Sequence, residues 1–223
     1  MGSRSCLILG ATGLVGGHVL RFVLDDPEYA KVVVLVRRSL GIDSAKLVEV
    51  MTDFDRPETY RAHAAVDDVF SCLGTTIKKA GSQEAFRKVD FEYPVAVARA
   101  AFDAGARQYL IVTAVGADST SRVFYNRAKG QVEDALRAIA FPDGLKIFHP
   151  SLLLGARDES RPAERAASVV MKATSALFVG GLKRYRAIDA SHVARAMWKA
   201  ARTEPSGTRV YEGASLFDLA ARA

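Results

Sequence analysis

Short runs rich in Val, Leu and Ile alternate along this chain with longer segments of helical period. The runs occupy residues 6–10, 31–36, 47–51, 68–74, 108–114 and 145–150. Between them, apolar residues recur every three or four positions at residues 13–24, 82–104 and 125–139. A parallel sheet that helices cover on both faces buries both sides of its strands, so each strand is continuously apolar. The alternation therefore predicts an α/β fold with a doubly wound parallel sheet.

The rhythm changes after Pro150. A polar segment at 156–165, an apolar stretch at 166–182 and a helix at 189–202 follow. A length of 223 residues suits one domain. Ligands of open α/β sheets bind outside the carboxyl ends of the strands. We therefore expect residues 1–223 to form a single domain, in which 151–223 contribute a small C-terminal substrate cover.

The apolar stretch at 166–182 is too short for a membrane span and carries Lys172 near its middle. It predicts a buried or interface helix and no span. As an interface, it would serve a homodimer or a protein partner.

Charge and cysteine content narrow the partners and the compartment. The formal net charge is +6, and the basic residues are spread along the chain, which favours small anions such as phosphates. No nucleic-acid-binding motif accompanies the charge, so we expect no nucleic acid. Cys6 and Cys72 lie in apolar surroundings without metal or redox spacing. Together with the missing signal-peptide pattern, they predict reduced thiols in a cytoplasmic protein.

A glycine-rich turn, "GATGLVG", joins the first predicted strand to the first predicted helix. Gly10 permits a tight turn, Gly13 lets the backbone approach a pyrophosphate, and Gly16 lets the helix pack closely on the sheet. The free N–H groups of the helix N-terminus attract phosphate. The turn predicts an NAD(P)-binding Rossmann fold, the alternative being an ordinary strand-to-helix turn. The predicted pyrophosphate-binding residues are Gly10, Ala11, Thr12, Gly13, Leu14, Val15 and Gly16.

The ends of the next strands indicate which dinucleotide binds. NAD-binding proteins commonly carry an acid after the second strand, but this chain has Arg37 and Arg38 there. Guanidinium groups pair well with a ribose 2′-phosphate, so we expect NADP(H), the alternative being two solvated arginines. Asp53 is placed for the adenine amino group, and the Leu73, Gly74 and Thr75 loop for the middle of the cofactor. Either segment is also ordinary turn chemistry.

Tyr125 and Lys129 lie four residues apart at the start of a predicted helix, and therefore on one face. A free phenol has a pKa near 10, which a neighbouring ammonium lowers. Tyr125 is thus a candidate acid/base for a substrate oxygen, with Lys129 as its electrostatic partner and as a ligand of the nicotinamide ribose. The alternative is a solvated helix face.

Together, "GATGLVG", "CLGTT", "VDFEYPVAVARAAFDAGA", "YLIVTAVGAD", "YNRAK" and "FHPSLLLG" resemble the short-chain dehydrogenase/reductase superfamily. More narrowly, the chain is similar to the atypical NADP-binding branch that includes the Tat-interacting-protein-like oxidoreductases. The resemblance implies pyrophosphate, 2′-phosphate and catalytic roles for the residues named above, and a Pro150 backbone beside the nicotinamide. It also implies a hydroxyl partner for the tyrosine after the fifth strand. Thr113 supplies that hydroxyl, unless the equivalent position is Ala114, which has none.

Other chemistries find little support in the sequence. His18, His63, His149 and His192 lack zinc-ligand spacing, and no metal is expected. We interpret His149 as structural and Cys72 as a small buried residue.

The sequence therefore predicts an NADP-dependent oxidoreductase that acts on a small carbonyl, alcohol or activated alkene by hydride transfer. Two alternatives stay open. One is an NADPH-sensing regulatory protein with little turnover, which the ambiguous hydroxyl and the 166–182 stretch favour. The other is nucleotide-sugar epimerase or dehydratase chemistry, which the short tail disfavours.

Overall fold

A computed structural model describes residues 3–154 and 187–222 and shows one large parallel sheet. The strands in these ranges are β1 Arg4–Leu9, β2 Tyr29–Val36, β3 Leu47–Met51, β4 Asp68–Ser71, β5 Gln108–Val112, β6 Gly144–His149, β7 Leu153–Leu154, β8 Ile188–Asp189 and β9 Arg209–Glu212. The large sheet contains seven of them in the order β3-β2-β1-β4-β5-β6-β9, and every neighbouring pair is parallel. Strands β7 and β8 pair with each other.

Helices cover both faces of this sheet. They are α1 Leu14–Asp25, α2 Ile77–Ala80, α3 Gln83–Arg87, α4 Tyr93–Asp103, α5 Phe124–Arg137, α6 Ala190–Thr203 and α7 Ala214–Ala221. Two 3₁₀ turns lie at Pro57–Thr59 and Arg61–His63. The single helix predicted at 82–104 is divided into α3 and α4 by a π-helical turn, Lys88–Glu92. The apolar period does not reveal this turn, because the buried side of the segment stays apolar on either side of it.

The strands place alternate residues in two cores. Cys6 and Ile8 of β1 belong to the cluster that packs against α1, α6 and α7. Leu7 and Leu9 belong to the cluster that packs against α4 and α5. All four side chains are fully buried. The predicted doubly wound Rossmann sheet is therefore confirmed.

Part of the predicted cover belongs to the sheet domain itself. Strand β9 pairs with β6, and α6 packs on α1, with the Trp198 ring 5.8 Å from that of Phe22. Sequence reasoning missed β9 because it is only four residues long and half polar. The helix predicted at 166–182 lies outside the described residues. None of the helices in the described ranges has the length and hydropathy needed to cross a membrane.

The strand order places a topological switch between β1 and β4. From β1 the chain proceeds to β2 and β3 on one side, and then returns to add β4, β5 and β6 on the other. The connections that leave β1 and β4 diverge there, which opens a crevice at the carboxyl edge of the sheet. Each predicted site segment follows the carboxyl end of a strand at this edge or begins the next helix.

Candidate nucleotide and acid/base site

The glycine turn has no room for a side chain at two of its glycines. Gly10 has φ +80°, and a Cβ on it would lie 2.5 Å from the Cys72 carbonyl oxygen. A Cβ on Gly16 would lie 2.2 Å from the Gly10 carbonyl oxygen. The first turn of the following helix is therefore held against the strand end, as expected for Gly16. A Cβ on Gly13 would meet the same oxygen at 3.2 Å.

The N-terminus of α1 is chemically suited to phosphate. Gly13 is the N-cap, no side chain caps the helix, and its first turn carries no acidic residue. Thr12 and Gly13 are exposed, whereas Ala11 and Val15 are buried beneath them. The N–H groups and the positive end of the helix dipole therefore face the crevice without a competing carboxylate. These residues fit a dinucleotide pyrophosphate.

Arg37 and Arg38 lie directly after β2, beside the glycine turn. Both are exposed, and neither forms an ion pair with another described residue. Asp53, after β3, is also exposed, and its Oδ1 accepts the Asp55 N–H at 3.0 Å. The second Asp53 oxygen is thus the one with spare capacity for a ligand.

The loop after β4 runs alongside the glycine turn. The Cys72 N–H donates to the Leu9 carbonyl at 2.9 Å, which places Leu73, Gly74 and Thr75 at the crevice. Burial raises the pKa of the Cys72 thiol to about 12, and its Sγ lies 4.0 Å from the Met197 Sδ. The thiol is therefore protonated at neutral pH, as expected of a packing residue and not of a nucleophile.

Tyr125 and Lys129 are brought together on α5. The Lys129 Nζ lies 5.9 Å from the centroid of the Tyr125 ring. The Tyr125 ring is half-buried and packs against Phe86 at 5.7 Å, while its hydroxyl has no hydrogen-bond partner in the described part of the chain. The side chains therefore share one helix face, with a buried cation beside a phenol whose hydroxyl can receive a substrate.

Sequence reasoning missed the partner of that cation. The Lys129 Nζ lies 2.7 Å from the Asp90 Oδ1, and both side chains are almost fully buried. The Asp90 Oδ2 accepts the Thr75 N–H at 2.9 Å. The sequence did contain a signal for this partner. Phe86, Asp90 and Pro94 follow one another at intervals of four residues, so they lie on one helix face, and an acid on an otherwise apolar, buried face requires a partner.

The Thr113 hydroxyl lies in a second buried cluster. It donates to the Glu133 Oε1 at 2.6 Å, and the same oxygen lies 2.7 Å from the His149 Nε2. Glu133 follows Tyr125 by eight helical residues, a rise of about 12 Å along α5. Thr113 is thus engaged two turns below Tyr125, and its place as third member of the site stays a prediction. Ala114 is also buried and offers no hydroxyl.

His149 is held between two carboxylates. Its Nδ1 lies 3.4 Å from the Glu212 Oε2, on the side opposite Glu133. Burial lowers the pKa of His149, but the hydrogen bonds and charges of Glu133 and Glu212 outweigh burial and raise it overall. This arrangement agrees with the structural interpretation. Pro150 follows directly and accepts the Val115 N–H at 3.2 Å through its carbonyl.

No group of His, Cys, Asp and Glu suited to a metal ion occurs in the ranges that the structure describes.

The same chain matches a known family along almost its whole length. Residues 6–212 match the model of the NAD dependent epimerase/dehydratase family. The chain belongs to this family. The prediction of a nicotinamide dinucleotide cofactor is confirmed by the family, which is related to the short-chain superfamily. The family also supports an enzyme.

The chain is also similar to curated proteins and to solved structures. "Protein fmp52, mitochondrial" of Aspergillus clavatus is 36% identical over 196 residues, covering 85% of this chain and 83% of that protein. The UDP-glucose 4-epimerase of Thermotoga maritima with UDP-glucose has a TM-score of 0.69 at 15% identity, covering 97% of this chain and 81% of that one. WbmH of Bordetella bronchiseptica with NAD⁺ has 0.70 at 15%, covering 94% and 75%. At such identities, the solved structures describe the fold.

The predicted cytoplasmic location is wrong. The fmp52 relative of A. clavatus is mitochondrial by name, and other curated relatives carry the same word. The prediction failed because reduced cysteines exclude only an oxidising compartment, and do not distinguish between reducing ones.

Proposed function

We propose that this protein is an NADP-dependent oxidoreductase that interconverts a small carbonyl compound and its alcohol, or reduces an activated alkene. The observation that carries the proposal is the pairing of the half-buried Tyr125 phenol with the buried Lys129 ammonium on one face of α5. Binding alone does not require a phenol beside a buried cation. The narrower similarity to Tat-interacting-protein-like oxidoreductases belongs to this proposal.

In this proposal the glycine turn from Gly10 to Gly16 holds the pyrophosphate, and Arg37 and Arg38 hold the 2′-phosphate. The Leu73, Gly74 and Thr75 loop lies along the middle of the cofactor, Asp53 meets the adenine, and the Pro150 backbone borders the nicotinamide. When bound, NADPH supplies a hydride to the substrate carbon.

The chain's own residues manage the proton. Tyr125 donates its hydroxyl proton to the substrate oxygen as negative charge develops there, and solvent then reprotonates the phenolate. The Lys129 ammonium stabilises that phenolate and bonds the ribose hydroxyls. Thr113 is the predicted third member, and in the structure its hydroxyl donates to Glu133.

Epimerase chemistry is the second candidate. It is favoured by the family match and by solved neighbours whose names include a UDP-glucose 4-epimerase. The same tyrosine and lysine serve either reaction. What separates the two is turnover: an epimerase regenerates its cofactor in each cycle, whereas the proposed oxidoreductase consumes NADPH in proportion to product.

Cofactor preference is the first test. Calorimetric titration of the purified protein is expected to give at least tenfold tighter binding of NADPH than of NADH, about 1.4 kcal/mol. The Arg37→Ala/Arg38→Ala variant is expected to lose that margin, because the 2′-phosphate loses its guanidinium partners. Equal affinities in the wild type would remove the NADP preference, and no binding of either nucleotide would remove the proposal.

The role of Tyr125 is the second test. A panel of small aldehydes, ketones and enones is followed by NADPH absorbance, with Tyr125→Phe beside the wild type. We expect the variant to lose at least 100-fold in turnover, typical of a lost acid/base, while NADPH affinity changes little. Undiminished turnover in Tyr125→Phe would contradict an acid/base role. NADPH binding with no turnover of any substrate would favour the cofactor-sensing alternative.

A further inference from the structure

The Lys129 ammonium has a carboxylate partner that is buried as deeply as itself. Lys129 is 4% exposed and Asp90 is 2% exposed, and Nζ and Oδ1 are 2.7 Å apart. Desolvating two charges costs several kcal/mol per ion, so such a pair is weak evidence for a role in stability. Its position beside the proposed acid/base points instead to a role in the site.

Asp90 also holds the loop that follows β4. Its Oδ2 accepts the Thr75 N–H at 2.9 Å, and a Cβ on Gly74 would lie 3.7 Å from its Oδ1. This loop is the one proposed to lie along the middle of the cofactor. A single carboxylate thus contacts both the proposed catalytic lysine, on the helix after β5, and the cofactor loop after the neighbouring strand β4.

The backbone departs from a regular helix at Asp90. The residue lies in the π-helical turn Lys88–Glu92, between α3 and α4, and π turns are frequent at functional sites. The Asp90 Oδ1 accepts no hydrogen bond from the described part of the chain. Its contact with the Lys129 Nζ is an ion pair whose angles do not suit a hydrogen bond. The charge of this buried oxygen is therefore balanced by the Lys129 ammonium, which it contacts in the interior.

We infer that Asp90 is a positioning residue that sets Lys129 relative to the cofactor loop. An ammonium has three N–H groups, so the ion pair with Asp90 leaves Lys129 with N–H groups for the hydroxyls of a ribose. The bond to the Thr75 N–H ties the same carboxylate to the cofactor loop. The inference rests on the proposed function, because it requires a nicotinamide ribose at this edge of the sheet.

The test compares two probes on four proteins by calorimetry. NADPH reaches both the arginines and Lys129, whereas adenosine 2′,5′-bisphosphate carries only the adenine, its ribose and the two phosphates of that ribose, and lacks the nicotinamide ribose. The proteins are the wild type, Lys129→Met, Asp90→Asn and the double variant of these two substitutions. An asparagine keeps the shape but has one acceptor, so it cannot serve Lys129 and the Thr75 N–H together. Glu133→Gln is the matched control, since Glu133 is 3% exposed and its carboxylate pairs with Arg137 and not with Lys129.

We expect Asp90→Asn to weaken NADPH at least tenfold, as Lys129→Met does, while adenosine 2′,5′-bisphosphate binds as in the wild type. In the double variant the loss is expected to be no greater than for Lys129→Met alone. Equal weakening of both probes, or losses that add in the double variant, would overturn the inference in favour of a general structural role. Unchanged NADPH affinity in a folded Asp90→Asn protein would overturn it too.

A second variant covers the event that Asp90→Asn does not fold. Asp90→Glu keeps the charge and moves the carboxylate by one methylene, and it is expected to weaken NADPH at least threefold without affecting the bisphosphate. Unchanged NADPH affinity in Asp90→Glu would overturn the inference. If the wild type binds the bisphosphate but gains nothing from the nicotinamide half, the inference fails while the arginine site stands. If it binds neither probe, the proposed function fails first.

Discussion

At the level of single residues, the glycine turn sets a tight steric limit in the site. Gly16 and Gly17 are neighbours on α1, yet their surroundings differ. A Cβ on Gly16 would lie 2.2 Å from the Gly10 carbonyl oxygen, whereas a Cβ on Gly17 would meet its nearest atom, the Ala11 carbonyl oxygen, at 3.4 Å. The first contact requires the backbone to move, and the second is ordinary packing.

Gly16→Ala is therefore expected to lower the free energy of unfolding by about 1–3 kcal/mol or more and to abolish NADPH binding, because the helix must retreat from the strand end. Gly17→Ala is the control, and it is expected to be neutral or to stabilise by about 0.5–1 kcal/mol, as alanine favours the helix. Urea unfolding and calorimetry measure both effects. Retained NADPH affinity in Gly16→Ala would refute the steric account.

Between elements, His149 joins β6 to α5 and β9. Its two ring nitrogens face Glu133 and Glu212, and Arg137 forms an ion pair with the far oxygen of Glu133. Both nitrogens face carboxylate oxygens, and both carry an N–H that can donate only when the imidazole is protonated. The charged form of His149 therefore fits this cluster best. The elevated pKa of His149 therefore makes the contact between these elements depend on pH.

The sign of that dependence follows from linkage. A histidine whose pKa is higher in the folded state stabilises the protein fully below its unfolded pKa, near 6.5, and loses this contribution as pH rises through the folded pKa. Each unit of elevation is worth about 1.4 kcal/mol. Urea unfolding between pH 5 and 9, about the range in which histidines titrate, should show this loss in the wild type and not in His149→Asn.

The exposed His192 supplies the control for that measurement. His192→Asn leaves His149 and its two carboxylates in place, so the loss of stability with rising pH is expected to persist in this variant. A His149→Asn curve parallel to the wild type would show that the cluster does not titrate in this range.

For the whole molecule, the C-terminal residues complete the domain instead of only covering it. Trp198 and Arg202 of α6 both donate to the buried Asp26 carboxylate after α1, at 2.8 and 2.6 Å. Strand β9 closes the sheet beside β6. The glycine turn, the α5 face and the C-terminal helices thus share one folded unit, and ligand binding at the crevice is expected to stabilise all of it.

That coupling gives a thermal prediction. NADPH at about 100 times its dissociation constant adds about 2.7 kcal/mol, which for a chain of this size corresponds to a rise in Tm of about 5–10 °C. The Arg37→Ala/Arg38→Ala variant should show a much smaller rise at the same NADPH concentration. Differential scanning calorimetry measures both. If the Tm of the folded wild-type protein does not change at saturating NADPH, the proposed site is contradicted.

Six of the seven main strands, the glycine turn and the tyrosine–lysine face were predictable because each is written in local spacing. Apolar runs mark buried parallel strands, a glycine triplet after a strand marks a close turn, and four residues make one helical face. These features depend on residues that are neighbours along the chain, so periodicity alone reveals them.

Tertiary structure decided the rest, because it depends on partners that are distant along the chain. The sequence does not indicate that Lys129 pairs with Asp90, that the Thr113 hydroxyl turns to Glu133 or that a short, half-polar β9 joins the sheet. Burial forces each buried charge or hydroxyl to find a partner, but only the packing of the elements determines which partner is within reach. The sequence by itself determined the order of strands and helices along the chain and the tyrosine–lysine face, and the tertiary structure decided which partners hold that face.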